Sequence, residues 1–511
     1  MTKNVNSLCF SNSFGVFLLY LRRYNKITSM DELLKILDWS RGSNAIVNDL
    51  MKKSTNPPAW DKLKEELYAS KHKIAGDDSG RVDVVHDDGT VDEAAQIAIG
   101  LEELLVNRIN QFMHTIPVKR EYQDIDDNEV RQKIATAIER IYEEADIDTV
   151  NMERGLAYFA ACEMFTLWYA VKKENNLYGF HSDYKLKCKV YSPMNDDVVL
   201  YPLMDEMDDM LAMSFYYKKT VGDKELEFFE TYTKDRKYKW CKDGGDWEPV
   251  ILYEDAEGNV TYGDEVVILK IPGVYAWRKK KTWKQGSSDL REDVEYTHSR
   301  DSDVIAWNAT PILKIAGQLQ GDEDKGESRR IFRVENTGDV SYVSWDQSND
   351  ANKNHIDRSL SFFWQINQMA DISVEKMIQL NSIGYDARMT IFIDVFLKIG
   401  QESKPLLQAY RREGNVIKAF LKIMSDDPEW EKEVDNVRIK HVITPYIPKD
   451  EMQEIEKRLK ANGGKPIESH LESIIRYGKS KDPVKTLEQI QQEQTEENKS
   501  TLSSLLQEGA V

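Results

Sequence analysis

The sequence predicts an α+β protein. From Leu186 to about Pro272 apolar residues recur at every second position, the period of a pleated strand. On both sides of that stretch they recur every three or four residues, the period of an amphipathic helix. The length of 511 residues exceeds what one hydrophobic core fills, so two or more substructures are expected.

Taken in order, residues 1–70 read as helical. Met30-Asp31-Glu32 opens one amphipathic run, and Asn56-Pro57-Pro58 breaks the chain before another. The Gly/Asp-rich stretch 75–92 reads as a turn-laden connection or small hairpin. Ile97, Leu101, Leu104, Leu105, Ile109 and Phe112 put one apolar face on a helix over 92–114, which ends near Ile116-Pro117. A helical pair is expected at 128–145 and 150–174, the second rich in aromatics such as Tyr158, Phe159, Phe165, Trp168 and Tyr169. The period-two region divides into KCKVYSP, DVVLYPL, LAMSFYYKK, LEFFETYT, RKYKWCK and EVVILKIP. Turns at Asn195-Asp196, Gly222-Asp223, Gly244-Gly245 and Gly258-Asn259 make it an antiparallel meander.

Helical spacing returns at Asp289, where Asp289 and Glu292 have the form of a capping box, and runs to about Asn308. Residues 309–345 read as short strands around the polar turns GDEDKGES and ENTGD. From about Asp350, Ile356, Leu360 and Phe363 form one stripe, and Phe362, Ile366 and Met369 the next. A helical stretch from about Ala387 is interrupted at Gly400 and Pro405 and continues to Met424. The end of the chain reads as an extended run RIKHVITPYIP, a charged helix, a Gly463-Gly464 break, a second helix and an Asp482-Pro483 cap. After about Gln491 the low apolar content predicts a disordered acidic tail.

The chain is 41% hydrophobic and 31% charged, with a formal net charge of -19. That balance argues against tight, nonspecific clamping of nucleic acid, which relies on Lys and Arg neutralising phosphates. It is compatible with a surface past which DNA moves without sticking. Cys9, Cys162, Cys188 and Cys241 lie far apart without a CxxC pair and read as reduced thiols. The apolar run Phe14 to Leu21 is too short to span a bilayer.

The motif search yields no enzyme and no cofactor or metal site. Gly463-Gly464-Lys465-Pro466 lacks the hydroxyl residue of a phosphate-binding loop and reads as a turn. Asp77, Asp78 and the carboxylates from Asp83 to Asp88 lack the ligand alternation of a calcium loop and read as solvated. So does Asp205-Glu206-Met207-Asp208-Asp209, between two strands. The eight histidines are scattered, none paired at i, i+4 with a second ligand, and read as surface or capping residues. The one strong basic cluster holds Arg278, Lys279, Lys280, Lys281 and Lys284, interleaved with Trp277 and Trp283. It reads either as a phosphate contact with base stacking or as an exposed loop balancing an acidic chain.

The order of these parts resembles that of phage portal proteins. LEELLVNRINQFMHTIPVKREYQ (101–123) is similar to the family's N-terminal helix running into an extended Pro-Val segment. RIYEEADIDTVNMERGLAYFAACEMFTLWYAV (140–171) is similar to the following helix pair, and the meander ends in VVILKIP where the family has a strand ending in Ile-Pro. A helix with a Ser288-Asp289-Leu290 start, a short β insert, the strand VSYVSWD (340–346) and the helix NHIDRSLSFFWQINQMADIS (354–373) follow. The segments 437–459 and 465–497 resemble the closing strand, paired helices and acidic terminal helix. The family's turn after the channel segment appears only as Ser382-Ile383-Gly384.

The resemblance, over roughly 100–497, implies a portal fold: a helical and antiparallel-β wing, a helical stem, a small α/β clip and a helical C-terminal crown. It divides the chain into an N-terminal helical extension (1–90), wing (91–286), first stem helix (287–308), clip (309–345), second stem helix with channel loop (346–386), long wing helices (387–440), crown (441–490) and acidic tail (491–511). It implies a virion protein at one capsid vertex, assembled in the host cytoplasm as a closed, usually twelve-fold homo-oligomer ring. Viral double-stranded DNA would be packaged and ejected through that channel. Implied partners are the terminase large subunit, head-tail adaptor proteins, and the major capsid and scaffold proteins, with no membrane. Gln368, Lys376, Gln379, Asn381 and Arg388 would face the DNA channel. Two rivals stand beside this: another oligomeric virion protein (adaptor or scaffold), and a metal-dependent nuclease using carboxylates such as Asp83, Asp87 and Asp88.

Overall fold

The computed structural model describes residues 30–195, 198–308, 312–316, 319–324, 330–334, 339–343, 349–371, 390–425, 427–446, 469–477 and 482–508. The described chain is a mixed α+β protein whose strand pairs are antiparallel. It divides into two compact units, one of residues 1–378 with 390–446 and one of residues 379–389 with 447–511.

In the first unit, helices α1 (Met30–Ile36) and α2 (Ser43–Leu50) precede the Pro57-Pro58 break and α3 (Trp60–Leu67). A hairpin of β1 (Val84–Val85) and β2 (Val91–Asp92) follows. Next come α4 (Leu101–His114), β3 (Lys119–Gln123), α5 (Glu129–Glu144) and α6 (Ile147–Ala160). The strands β4 (Glu163–Asn175), β5 (Ser182–Tyr191), β6 (Val199–Met204), β7 (Met210–Val221), β8 (Lys224–Tyr232), β9 (Arg236–Lys242) and β10 (Glu248–Pro249) succeed one another. The short β11 (Leu252–Glu254) and β12 (Val260–Tyr262) pair with each other, and β13 (Asp264–Glu265) adds to β9.

The expected meander is present as β6 to β10, in register at Leu200↔Phe215 and Phe229↔Trp240, but its expected first strand, KCKVYSP, lies in β5 and pairs with β4 in a separate sheet. One face packs Leu203, Ala212, Phe229, Trp240 and Trp247 against Leu33, Leu37, Ile46, Val47 and Leu50 of the first two helices. The other packs Leu200, Met213 and Phe215 against Phe165, Leu167 and Tyr275 of a second sheet, ordered β14-β4-β5 with β14 at Gly273–Trp277. That sheet's far face joins the helices: Trp168 and Leu186 lie in one core with residues of α4, α5 and α6.

Three expectations here are corrected. The helix expected over 150–174 stops at Ala160, and its aromatic half is strand β4. Glu163 to Trp168 are buried without interruption, because the meander covers one face of this strand and helices the other; the alternation that would reveal a strand is absent. EVVILKIP, expected as the last strand, keeps period-two burial (Val266 and Ile268 in, Val267 and Leu269 out) but turns at Leu269, where φ is 51°; pairing resumes at Gly273. The helix expected over 92–114 begins only at Leu101. Residues ahead of it are extended along α7 (Gln285–Asn308). The N–H groups of Ala95, Ile97 and Ile99 donate to Asp303 Oδ1 (2.8 Å), Ser299 Oγ (3.0 Å) and Glu295 Oε1 (2.7 Å). Alternate strand amides thus meet acceptors spaced i, i+4 on one helix face, and no local helix could offer that arrangement.

Helix α7 starts at Gln285, not at an Asp289 cap. Its start is set by a tertiary contact: the Ser287 N–H and hydroxyl both bond the Lys284 carbonyl (3.1 and 2.7 Å), and the Lys284 N–H is held by Asn367. The β insert holds β15 (Ile312–Ala316), β16 (Leu319–Asp324), β17 (Arg330–Val334) and β18 (Asp339–Val343). They nest, β15 on β18 and β16 on β17. Helix α8 (Asn349–Ile366) then runs back along α7, since Asn352 meets Asp301 (2.5 Å) and Asn367 meets Lys284 (3.0 Å). Phe363 of the first expected stripe is fully buried, whereas Phe362 and Ile366 of the second are exposed.

Helix α9 (Ile393–Met424) passes through Gly400 and Pro405 without interruption. Pro inside a helix costs about 3 kcal/mol. Here Val395, Ile399, Leu406, Ala409, Tyr410, Ile417 and Leu421 are all buried on one side, and that packing outweighs the loss. After α10 (Pro428–Glu433), β19 (Arg438–Val442) pairs with β3, so the first five residues of the extended run that opens the C-terminal segment form a strand.

The second unit holds α11 (His470–Tyr477) and α12 (Pro483–Glu508), which touch each other. Ser469 and Glu472 form a capping box: the Ser469 N–H donates to Glu472 Oε2 (3.1 Å) and the Glu472 N–H to Ser469 Oγ (3.2 Å). Asp482 caps α12 as expected, accepting from Lys485 N (3.2 Å). The disorder expected after Gln491 is corrected, because α12 continues to Glu508. Glu, Gln, Lys and Leu are strong helix formers, and low apolar content alone did not reveal this.

Candidate functional site

The basic run leaves β14 and leads into α7, and its residues are only partly free. The Arg278 main-chain N–H bonds Cys162 O (2.9 Å), and its guanidinium reaches Glu402 (3.0 Å) and Thr282 Oγ1 (3.0 Å). Lys281 and the Trp283 indole N–H both meet Glu66 Oε2 at 2.5 Å, and Ser288 Oγ joins them at 3.1 Å. Burial opposes the Glu66 charge, but hydrogen bonds from Lys281 and Trp283 more than offset it and hold the carboxyl below its ordinary range. Trp283 is 1% exposed. The expectation that it stacks on bases is therefore corrected: its ring is core and its N–H is used. Lys279, Lys280 and Lys284 are exposed.

Gln368 comes to the same place from the end of α8. The Met369 N–H bonds Trp364 O (3.0 Å) and the Gln368 N–H bonds Gln365 O (3.0 Å), a Schellman end with Gln368 left-handed at φ 54°. Gly suits that position; a side chain there is strained by about 1 kcal/mol or more. Gln368→Gly is expected to raise stability by about 1 kcal/mol, read as a higher urea midpoint; an unchanged or lower midpoint would refute the strain. Of the other residues expected in the channel, Lys376, Gln379, Asn381 and Arg388 lie outside the described residues.

Asn367 escaped sequence reading. It is fully buried. Its Oδ1 accepts from Lys284 N (3.0 Å), its Nδ2 donates to Phe363 O (2.9 Å), and its main-chain carbonyl accepts from Lys398 Nζ (2.5 Å). One residue thus ties together α8, the basic run and α9, the first two through its side chain and the last through its main-chain carbonyl. The available signal was an Asn closing an apolar helical stripe.

These groups surround one cleft of about 800 Å³. Its lining carries seven cations (Lys62, Arg278, Lys279, Lys280, Lys281, Lys284 and Lys398) against two carboxylates, Glu66 and Glu402. Two groups of expected residues, Gln368 and the basic cluster, therefore meet in space although some eighty positions apart.

The other candidates are structural. Asp83 accepts from Ala94 N (2.8 Å) and ties the two ends of the hairpin together, while Asp88 accepts from Thr90 N (2.9 Å) and caps the hairpin turn. Asp205 does the same for Met207 and Asp209 (2.8 Å each). Among the described residues no three His, Cys, Asp or Glu side chains gather as metal ligands. Cys162, Cys188 and Cys241 are free thiols. Two histidines are corrected from surface to core: His72 bonds Glu295 (2.6 Å), and His114 bonds Asn110 (2.7 Å) and Tyr410 (2.9 Å).

No curated protein matches the chain. Among solved structures, a chain in the virion of a native gene transfer agent particle is 11% identical, with 83% of this chain and 94% of that chain covered and a TM-score of 0.33. A chain in the neck of an empty gene transfer agent particle is 11% identical, with 74% and 88% covered and a TM-score of 0.34. The model of the family described as phage portal protein, SPP1 Gp6-like, matches residues 58–500. That span is most of the sequence, and the chain belongs to this family of portal proteins, which are structural and not enzymatic.

Proposed function

We propose that the chain is the portal vertex subunit of a virion, a ring-forming conduit for double-stranded DNA. The carrying observation is the helix–insert–helix unit: α7, nested hairpins and α8, with α8 returning to the start of α7 through Asn367. In this reading α7 and α8 belong to the stem (287–308 and 346–386) and the strands β15 to β18 to the clip (309–345). The wing comprises 91–286 with 387–440, the crown 441–490, and residues 1–90 are an N-terminal extension. The ring, usually twelve-fold in the family, multiplies a subunit charge of -19. A strongly negative wall repels phosphate, so DNA slides while a separate motor, the terminase large subunit, drives it. Gln368, Lys376, Gln379, Asn381 and Arg388 are proposed to face the DNA. The exposed Lys279, Lys280 and Lys284 are proposed as phosphate contacts. Adaptors would dock on the clip, and capsid and scaffold proteins around the wing.

Electron microscopy of the purified full chain tests this. Rings with an open centre wide enough for duplex DNA are expected. Monomers or solid particles would overturn the proposal and favour an adaptor or scaffold role.

A further inference from the structure

The cleft contains a cation that the conduit role leaves unexplained. Lys398, on α9, is 4% exposed, and its one hydrogen bond among the described residues goes to the Asn367 carbonyl. An ammonium offers three donors. The charged groups around it are Glu402 one turn on, Arg278 and Lys284 from the basic run, and Lys62 and Glu66 across the cleft on α3. Neither carboxylate is hydrogen-bonded to it: Glu402 is held by Arg278 at 3.0 Å and Glu66 by Lys281 at 2.5 Å. Burial, with Arg278 and Lys284 nearby, outweighs Glu402 and brings the Lys398 ammonium down to about 8. A bound anion would relieve that electrostatic deficit.

We infer that this cleft is a phosphate-binding site, with Lys398 as its buried anchor and Lys62, Lys279, Lys280 and Lys284 closing on the ligand from the rim. The inference rests on the reading that the basic run meets phosphate. The class follows from the donors. Trp283 is sealed in the core, so charge is recognised here and not a base. The one guanidinium, Arg278, is engaged by Glu402, so the forked pairing that suits carboxylate and phosphate alike is not on offer to the ligand. Lysine ammoniums, point charges suited to phosphoryl oxygens, remain. The phosphoryl group could belong to a nucleic-acid backbone or to free phosphate.

The test uses the full chain with two probes, a fluorescent DNA duplex and inorganic tripolyphosphate, at low salt. Between about pH 7 and about pH 9 Lys398 falls from about nine-tenths to about one-tenth charged, so binding is expected to weaken about tenfold. Lys398→Arg should bind equally at both values, and Lys398→Met weakly at both. Should Lys398→Met fail to fold, the Arg variant decides. Response of the duplex alone assigns the backbone, and response of tripolyphosphate assigns free phosphate; either supports the site. Binding that is independent of pH and of Lys398, yet lost on replacing Lys279, Lys280 and Lys284 by Ala, overturns the inference and leaves the loop contact standing. Binding of neither probe overturns both. Tighter binding of a polyglutamate peptide than of either phosphate overturns the class.

Discussion

Arg154→Met is expected to cost about 3–5 kcal/mol of folding stability, the range for stranding one partner of a buried ion pair. Arg154 on α6 is 3% exposed, and Glu413 on α9 is 1% exposed. They meet at 2.7 Å. The rest of the guanidinium is occupied by Asn151 Oδ1 (2.9 and 2.5 Å), and its Cζ lies 4.0 Å from the centre of the Tyr410 ring. Glu413 Oε1 also accepts from the Trp168 indole N–H on β4 (2.8 Å). Burial works against the Arg154 charge, and Glu413 more than offsets it. Removing Arg154 leaves a carboxylate in the core with one neutral donor on that oxygen. The double variant Arg154→Met/Glu413→Leu removes both charges and is expected to recover most of the loss. Urea denaturation of wild type, both single variants and the double variant measures the coupling. A loss below about 1 kcal/mol for Arg154→Met would show that the pair is solvated and the prediction wrong.

The second large effect is acid lability. His114 on α4 and His441 on β19 flank the same ion pair, His114 through Tyr410 and His441 with its ring 5.9 Å from that of Tyr410. Burial, then the Arg154 charge, brings the His114 imidazole down to about 4. For His441 burial dominates, Glu413 opposes it, and Arg154 and Arg120 add to it, again giving about 4. An unfolded chain binds the proton near 6.5. The fold therefore favours the neutral rings. Their contribution is complete above about pH 6.5 and is lost as pH falls towards about 4. Each ring is linked to roughly 3 kcal/mol over that window, and the two are not additive because both respond to Arg154. Glu102, raised by burial against the pull of Arg291, acts in the opposite direction and blunts the loss. Urea midpoints of wild type and His114→Gln from about pH 7 to about pH 4.5 provide the test. Wild type should lose stability steeply and the variant less so; a flat wild-type profile would sink the idea.

Legibility followed the physics of each element. The meander was readable because one strand face after another alternates between core and a less buried side, as at β6 with Leu200 in and Val199 out. Strand β4 was not, because two covered faces erase alternation. The start of α4 was misplaced because Ile97 continues the helical spacing while its N–H is taken by Ser299, over two hundred residues away. Pro405 looked like a break because local rules count the lost hydrogen bond and not the buried side of α9. At the cleft the basic cluster and Gln368 could be singled out by type, but not their meeting, nor Asn367 and Lys398, whose roles consist entirely of long-range contacts.

By itself the sequence determined the α+β class, the order of helices, meander, insert and returning helix, and the portal family that this order resembles. Those are properties of period, punctuation and succession, and all three are local. The tertiary structure alone decided which cations are free: Arg278 and Lys281 are bound to Glu402 and Glu66, Trp283 is sealed, and Lys398 is buried without a carboxylate of its own. The availability of a charge depends on what folds against it, and its partners here lie 124 and 215 residues away along the chain.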